Sequence, residues 1–380
     1  ELPKGWCWCK LEEIVKITNG RSQKNVEDKE GLYPIYGSGG IIGKATEFLC
    51  EAGTTIIGRK GTINNPIFVK ERFWNIDTAF GMKPQYAISD KYFFFFCQHF
   101  NFSELDKSTA VPSLTQSAIN DIFIPIPPTN EQKRIVKEII RCFSVVEILE
   151  KEKIDLQLTI EQTKSKILDL AIHGKLVPQD PTDEPASELL KRINPKAEIT
   201  CDNPQYGKLP NGWCETLLGN IGTWQSGATP SRLRKEYYGG SIPWLKTGDL
   251  NDGIVQSIPE CITERALEET SVKLNPAGSI LIAMYGATIG RIGILSKPAT
   301  TNQACCACVD YLPEKKFLFY FLLANRENFI AMGGGGAQPN ISKEKIIHTH
   351  IPLPPQQEQH RIVAKIEELF TQLDKIEASL

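Results

Sequence analysis

The chain has 380 residues, 41% hydrophobic and 23% charged, which is enough soluble-type sequence for two ordinary domains with connecting elements. A formal net charge of −2 excludes a uniformly basic surface, so any nucleic-acid contact must be local or shared with partners. The longest strongly apolar run, near Tyr92 to Cys97, is far below the ~18 residues of a membrane span, and the eleven cysteines, an odd number in a large chain with no secretory-type leader before Leu2, read as reduced thiols of a cytoplasmic protein.

The first element, Leu2-Pro3-Lys4-Gly5-Trp6, recurs 207 residues on as Leu209-Pro210-Asn211-Gly212-Trp213, and Gly20 and Gly227 keep that register. Gly53-Thr54-Thr55-Ile56-Ile57 answers Gly278-Ser279-Ile280-Leu281-Ile282 at an offset of 225, as Gly61-Thr62-Ile63 answers Gly286-Ala287-Thr288, so the second copy carries an insertion. At an offset of 227 the segment from Ile124 through Pro127-Pro128 and Glu131-Gln132 to Ile135-Val136 matches the segment from Ile351 through Pro354-Pro355 and Glu358-Gln359 to Ile362-Val363. The chain is therefore one module used twice, in the order domain, helix, domain, helix.

The first domain covers residues 1–128. Short β-branched runs such as Thr54 to Ile57, broken by glycine, predict strands with tight turns, with a brief helix from Lys91 to Phe100. Its candidate DNA contacts are Arg21, Ser22 and Lys24 after Gly20, then Tyr36, Ser38 and Lys44, then Arg59 and Lys60. Guanidinium, ammonium and hydroxyl groups on close-approaching loops suit phosphates and base edges; ordinary solvated loops are the alternative reading.

From residue 129 to 175 the apolar positions Ile135, Ile139, Cys142, Val146, Leu149, Leu156, Ile160, Thr163, Ile167 and Leu170 step by three and four, with a break at Lys153. That spacing predicts a coiled-coil seam on a rod of roughly 65 Å, begun by a capping box of Thr129 with Gln132 and ended by Gly174. Residues 176–208, rich in Pro, Asp and Glu, read as a linker with one short helix from Ser187 to Ile193.

The second domain covers residues 209–355, with a strand at Ile280 to Ala283 and a helix from Lys315 to Asn325. Its candidate contacts are Thr229, Arg232, Arg234, Lys246, Thr247, Tyr285, Arg291 and Asn302; Asn pairs bidentately with adenine and Arg with guanine. The second helix, residues 356–380, repeats the seam as Ile362, Ile366, Leu369, Leu373 and Ile376, and ending at Leu380 it is expected to be a truncated counterpart of the first.

Motifs of chemistry are poor. Gly37 to Lys44 has Ser38 and Ala45 where a phosphate loop needs Gly and Ser or Thr, and Gly333 to Gly336 reads as a flexible loop rather than a dinucleotide turn. Asn64-Asn65-Pro66-Ile67-Phe68 lacks the second proline of an adenine-methyltransferase motif. Cys305, Cys306 and Cys308 with His348 and His350 lack zinc-type spacing, so no metal site and no catalytic residue is expected.

The Leu-Pro-x-Gly-Trp openings, the two Pro-Pro-x-x-Glu-Gln-x-x-Ile-Val junctions, the heptad helices and the helix end Asp169-Leu170-Ala171-Ile172-His173-Gly174-Lys175-Leu176 resemble, over essentially the whole chain, a specificity subunit of a type I restriction-modification system. The resemblance implies an α+β fold with pseudo-two-fold internal repeat: two β-rich target-recognition domains, each reading one half of a split asymmetric double-stranded DNA site, separated by long antiparallel helices that act as a ruler of about one DNA turn, ~34 Å. It further implies a non-catalytic chain whose partners are two modification subunits and, in the full complex, restriction subunits. S-adenosylmethionine, ATP and Mg2+ are then expected on those partners, with no cofactor on this chain. The alternatives are the recognition subunit of another multisubunit restriction or methyltransferase system, an enzyme with an unfamiliar site around Cys305 to Cys308, or a scaffold binding two protein ligands.

Overall fold

A computed structural model describes residues 2–108, 111–199, 208–311, 313–334 and 340–380. The end of the expected linker, residues 200–207, and residues 335–336 of the glycine loop lie outside the described residues. The chain divides into two compact units, Glu1–Glu152 and Lys153–Leu380, each mixing helix and sheet.

In the first unit a four-stranded sheet runs in the order Val15–Asn19, Ala79–Pro84, Thr54–Gly58, Ile67–Val69, beside a three-stranded sheet of Gly40–Ala45, Tyr33–Gly37 and Trp74–Asn75. A separate antiparallel pair, Cys7–Lys10 with Phe123–Ile126, joins the opening of the domain to its exit. Thr54 to Gly58 is buried throughout, which explains its unbroken apolar and β-branched composition. Behind this sheet, Phe80, Met82, Phe93, Phe102 and Ile119 form the principal core.

The second unit repeats this arrangement. Cys214–Leu217 pairs with His350–Leu353, and a sheet ordered Gly222–Ser226, Cys305–Tyr311, Ile280–Ala283, Ile292–Leu295, Gly253–Val255 stands beside one of Cys261–Ile262, Tyr238–Leu245 and Thr300–Thr301. The insertion read from the shifted offset includes the extra edge strand Gly253–Val255 and the helix Glu264–Glu269.

The repeated motifs have structural causes. Gly5 and Gly212 both adopt positive φ, 88° and 83°, and each turn closes by a backbone bond, Trp6 N–H to Pro3 O at 3.1 Å and Trp213 N–H to Pro210 O at 3.2 Å. Gly53 and Gly278, at 76° and 80°, hold equivalent positions just before the strands Thr54–Gly58 and Ile280–Ala283, donating to Val69 O and Leu295 O. At the exit, Gln132 is buried; its carboxamide oxygen accepts from Ser89 N–H at 2.8 Å and its nitrogen donates to Pro127 O at 3.0 Å. Gln359 makes the same two bonds, from Glu314 N–H at 3.1 Å and to Pro354 O at 2.9 Å. The expected capping box of Thr129 with Gln132 is thus corrected: the glutamine amide is consumed in stapling the helix root to the N-terminus of the domain's own helix, Asp90–His99 or Lys315–Ala324.

The first long helix runs from Thr129 to Ile172, 44 residues without glycine or proline, and Gly174 at φ 64° ends it. The C-terminal helix, Gln356–Ala378, runs antiparallel to its last part: Lys164 pairs with Asp374 at 2.7 Å and Glu377 at 3.1 Å, and Lys153 donates to the Leu380 carbonyl at 2.6 Å.

The seam is only partly a helix-to-helix contact. Ile160, Ile362 and Ile366 are buried and Leu369 and Leu373 half-buried, but Ile362 and Ile366 belong to the core of the second domain, where Tyr320 also meets Phe370 edge-on. Ile135 packs against the first domain's core, and Ile139 is half-buried. Val146, Leu149, Leu156 and Ile376 are exposed, a correction to their packing role. The short helix of the linker, Ala186–Ile193, is buried at Ala186, Leu189 and Leu190, with Ala186 and Leu190 in the core of the second module.

Gln359→Ala strands the Glu314 N–H and the Pro354 carbonyl, and should lower unfolding free energy by roughly 2 kcal/mol or more. Denaturant titration of the full chain checks this, with the exposed Gln372→Ala as a neutral control.

Candidate nucleic-acid interface

The loops singled out by sequence are tied together by a short segment that sequence reasoning identified only at Asn302 of the second module. In the first module it runs from Asn75 to Ala79. Arg21 N–H donates to Asn75 O at 2.9 Å, Gly20 N–H to Ala79 O at 3.2 Å, Ile76 N–H to Tyr36 O at 2.9 Å and Arg59 N–H to Thr78 O at 2.7 Å. A fifth bond, Leu114 N–H to Arg59 O at 2.9 Å, adds the loop before the helix Gln116–Asn120.

The second module reproduces all five. Ala228 N–H donates to Thr301 O at 3.0 Å, Gly227 N–H to Cys305 O at 3.0 Å, Asn302 N–H to Leu245 O at 3.0 Å, Met284 N–H to Ala304 O at 2.8 Å and Ile341 N–H to Met284 O at 2.9 Å. We term this the clasp. Gly20 and Gly227 are explained by it: a Cβ on Gly20 would collide with the Ile76 carbonyl, and one on Gly227 with the Thr301 and Asn302 carbonyls.

In the first module the clasp brings together the loops of Arg21, Ser22 and Lys24, of Ser38, and of Arg59 and Lys60. Arg21, Ser22, Lys24 and Lys60 are exposed and Ser38 half-buried; Gly61, at φ 81°, lies beside Ser38. Arg59 is half-buried with its guanidinium 5.8 Å from the Phe80 ring. Lys44 is exposed but sits away from the clasp, paired with Pro34 further down the hairpin. Tyr36 is corrected: its side chain is buried edge-on against Phe73, and burial pushes its hydroxyl pKa up, so it is a core residue.

In the second module Thr229 is exposed and bonds Gln303 across the clasp. Arg232 stacks on Tyr238 and Trp244, at 4.3 and 5.0 Å from the ring centroids, and both Arg232 and Lys246 pair with Glu260. Hydrogen bonding to the Arg232 guanidinium, above all, holds the Glu260 carboxyl below the usual carboxylate range. Arg234 donates to Tyr237 Oη at 2.7 Å and lies 3.4 Å from Glu269. Thr247 is half-buried in a 3-10 turn, while Tyr285 and Arg291 are exposed on the loop after Ile280–Ala283. Asn302 stands on the clasp, and its side-chain oxygen is buried without a hydrogen-bond partner among the described residues.

Sequence reasoning missed Asp77 and Thr78 on the first clasp and the loop of Ser113 to Gln116. Its signal was the repeat of Ser113-Leu114-Thr115 as Asn340-Ile341-Ser342, again 227 residues on. Both loops start short helices capped by Thr115 and Ser342.

The arrangement offers hydrogen-bond donors and acceptors on loops rooted by backbone bonds. Cys305, Cys306 and Cys308 are buried in a central strand, and burial pushes all three thiols up, Cys306 and Cys308 to about 12. Asn64 accepts from Phe102 N–H at 2.8 Å, a structural use of the near-miss motif. Among the described residues no helix is long and apolar enough to cross a membrane and no group of three or more His, Cys, Asp or Glu side chains could hold a metal ion.

The family model of the type I restriction modification DNA specificity domain matches residues 3–158 and again 210–380. The specificity subunit of an Escherichia coli type I restriction enzyme is 32% identical over 170 residues, 43% of this chain and 42% of that protein. The MjaIX specificity subunit of Methanocaldococcus jannaschii is 31% identical over 162 residues, 41% and 37% of the two chains. These two matches span less than half of either relative. The E. coli EcoBI specificity subunit is 23% identical over 397 aligned positions, covering 98% of this chain and 81% of its own. The fold is shared with the HsdS subunit of Thermoanaerobacter tengcongensis, at TM-score 0.62 and 18% identity, over 100% of this chain and 92% of that one.

Gly20→Ala and Gly227→Ala should each cost about 1–3 kcal/mol through backbone overpacking, whereas Gly39→Ala, with open space around it, should leave the denaturation midpoint unchanged. Arg232→Met should raise the Glu260 pKa towards the ordinary range. Because Glu260 titrates low when folded, its stabilising contribution is present above the unfolded carboxylate pKa and is lost as pH falls through the folded one. An NMR titration in which Glu260 does not move would remove Arg232 as the cause.

Proposed function

Because the chain belongs to the family of type I restriction modification DNA specificity domains, we propose that it is the DNA specificity subunit of a type I restriction-modification system, each module reading one half of a bipartite, asymmetric double-stranded DNA target. The observation that carries this reading is the duplicated clasp, with the same five backbone bonds rooting loops whose polar side chains largely differ between modules, as Arg21-Ser22-Gln23-Lys24 against Ala228-Thr229-Pro230-Ser231. One scaffold with two sets of polar loops suits two unlike half-sites. Guanidinium, amide and ammonium groups on those loops supply the donors and acceptors that base edges and phosphates need.

On this reading the chain is non-catalytic and works in the cytoplasm. Two modification subunits hold S-adenosylmethionine and methylate adenine, and restriction subunits, where present, use ATP and Mg2+. The near-neutral net charge is consistent with partners supplying many of the phosphate contacts. The buried, high-pKa cysteines argue against an enzyme centred on Cys305 to Cys308.

The test is to map methylated adenines in a host carrying the complex, then exchange residues 1–128 for the corresponding domain of a relative. One half of the methylated sequence should change and the other stay; a change in both halves refutes modular reading. Adding one heptad to both helices should lengthen the unread spacer. Lys60→Ala should weaken binding about equally across sequences and reduce the salt slope of affinity by about one.

A further inference from the structure

The loop that follows Gly227 in the second module is built around one guanidinium. Trp244 Nε1 donates to Ala228 O at 3.1 Å and Tyr238 Oη to Pro230 O at 2.6 Å, so two aromatic side chains fix the first limb of the loop. Arg234 N–H closes a turn on Ser231 O at 3.1 Å, and its guanidinium ties the second limb to Tyr237 Oη. Arg232 stands inside that turn beside Leu233, which is 94% exposed, so the apex stands clear of the domain. The two rings that pin the backbone also carry the Arg232 side chain, at 4.3 and 5.0 Å from their centroids. Trp244 is buried and Tyr238 meets it edge-on at 6.0 Å, so this platform belongs to the core of the module.

One edge of the guanidinium is taken and the other is not. Nη1 donates to Glu260, whereas the Nε and Nη2 edge carries no hydrogen bond among the described residues, and the side chain is 52% exposed. Glu260 is itself fixed, by Lys246 on its other oxygen and by Trp244 N–H donating to its backbone carbonyl at 2.8 Å. An open edge of two parallel N–H groups asks for two acceptors side by side. Guanine offers that pair in the major groove, O6 with N7. Adenine sets a donor beside its acceptor, thymine a methyl group, and cytosine a donor alone. The other guanidiniums of this loop cluster are placed differently: Arg234 is spent on Tyr237 and Glu269, and Arg59 of the first module is half-buried.

Resting on the DNA-specificity reading above, we infer that Arg232 is a specificity-determining residue of the second module and that the base it reads is a guanine, met in the major groove by its Nε and Nη2 edge. The surroundings divide the work. The stacked rings set the plane of the guanidinium, Glu260 sets its rotation within that plane, and the bonds to Ala228 O and Pro230 O set the height of the loop. A long side chain held in this way loses less rotamer freedom on binding, so more of the contact appears as affinity. A two-donor pairing of this kind separates guanine from the other bases by roughly tenfold to a hundredfold.

The experiment uses the full chain assembled with modification subunits. Mapping of methylated adenines first fixes the bipartite sequence; a chain that confers none overturns the specificity reading, and this inference with it. The half that persists when residues 1–128 are exchanged should contain a guanine, on either strand, at which Arg232→Lys lowers discrimination about tenfold or more while the other positions hold, because lysine keeps the charge and loses the fork. Duplexes with 7-deazaguanine, which lacks the N7 acceptor, give the second measurement. At that one guanine the analogue should weaken the wild-type complex about tenfold and leave the Arg232→Lys complex unaffected. Arg232 is exposed, so the variant should fold, and unchanged circular dichroism verifies it. A persisting half without a G·C pair overturns the inference alone, as does a preference that Arg232→Lys leaves intact at every guanine. So does an equal loss of affinity for all sequences, which would assign Arg232 to a phosphate.

Discussion

Each domain of this protein hangs on five backbone hydrogen bonds. The segments from Asn75 to Ala79 and from Thr301 to Cys305 accept from or donate to three separate loops through amides and carbonyls alone, and a further bond recruits a fourth loop. Main-chain groups must be satisfied whatever side chains flank them, so the scaffold is fixed without specifying a single functional side chain. Only two positions are chemically constrained by it, Gly20 and Gly227, where any Cβ would strike a carbonyl. Divergence elsewhere is inexpensive, and that is why two copies with a common frame present unlike surfaces.

The second constraint acts at the root of each domain. Two prolines deny the chain its own amide donors where a strand must become a helix, and the glutamine four or five residues on supplies a carboxamide in their place. Gln132 and Gln359 each bond one proline carbonyl and the first turn of the domain's neighbouring helix. The helix is thereby locked to the domain that precedes it. On the proposed reading, this lock lets the orientation of a recognition surface follow from the orientation of its helix.

Much of this was legible in the sequence because the repeat compares the chain with itself. The module boundaries, the glycine turns at Gly5 and Gly212, the strands around Ile56 and Leu281 and the end of the helix at Gly174 all follow from matched residues with a known backbone use. The clasp was not legible, since its strands Trp74–Asn75 and Thr300–Thr301 are two residues long and show no periodicity. Tyr36 adjoins a glycine-rich loop, which suggests a surface position, whereas the irregular register at Ile35 and Tyr36 leaves both side chains buried, the tyrosine ring edge-on to Phe73. Val146 and Leu149 carry an unbroken heptad spacing yet are 49% and 58% exposed, because periodicity states which face is apolar and not what covers it. The short linker helix was legible, but its burial was not, because three apolar positions in a charged segment do not say what surface receives them.

The pairing of Arg232 bears on how the second module would read DNA. Its guanidinium lies against the rings of both Tyr238 and Trp244 and shares Glu260 with Lys246, so two cations and one anion leave a single excess charge. A phosphate at the remaining N–H groups would be repelled by the adjacent Glu260 carboxylate, and displacing Glu260 would exchange one anion for another with small net gain. A base edge makes no such demand, because a guanidinium has five donors and its remaining N–H groups can meet a neutral acceptor while Glu260 stays in place. On the proposed reading the acid would remove part of the sequence-independent attraction of DNA and leave the directional part. It also fixes the fork before contact, so less rotamer freedom is lost on binding. In a protein whose net charge is only −2, discrimination of this kind depends on where each donor points rather than on how much positive charge the surface carries.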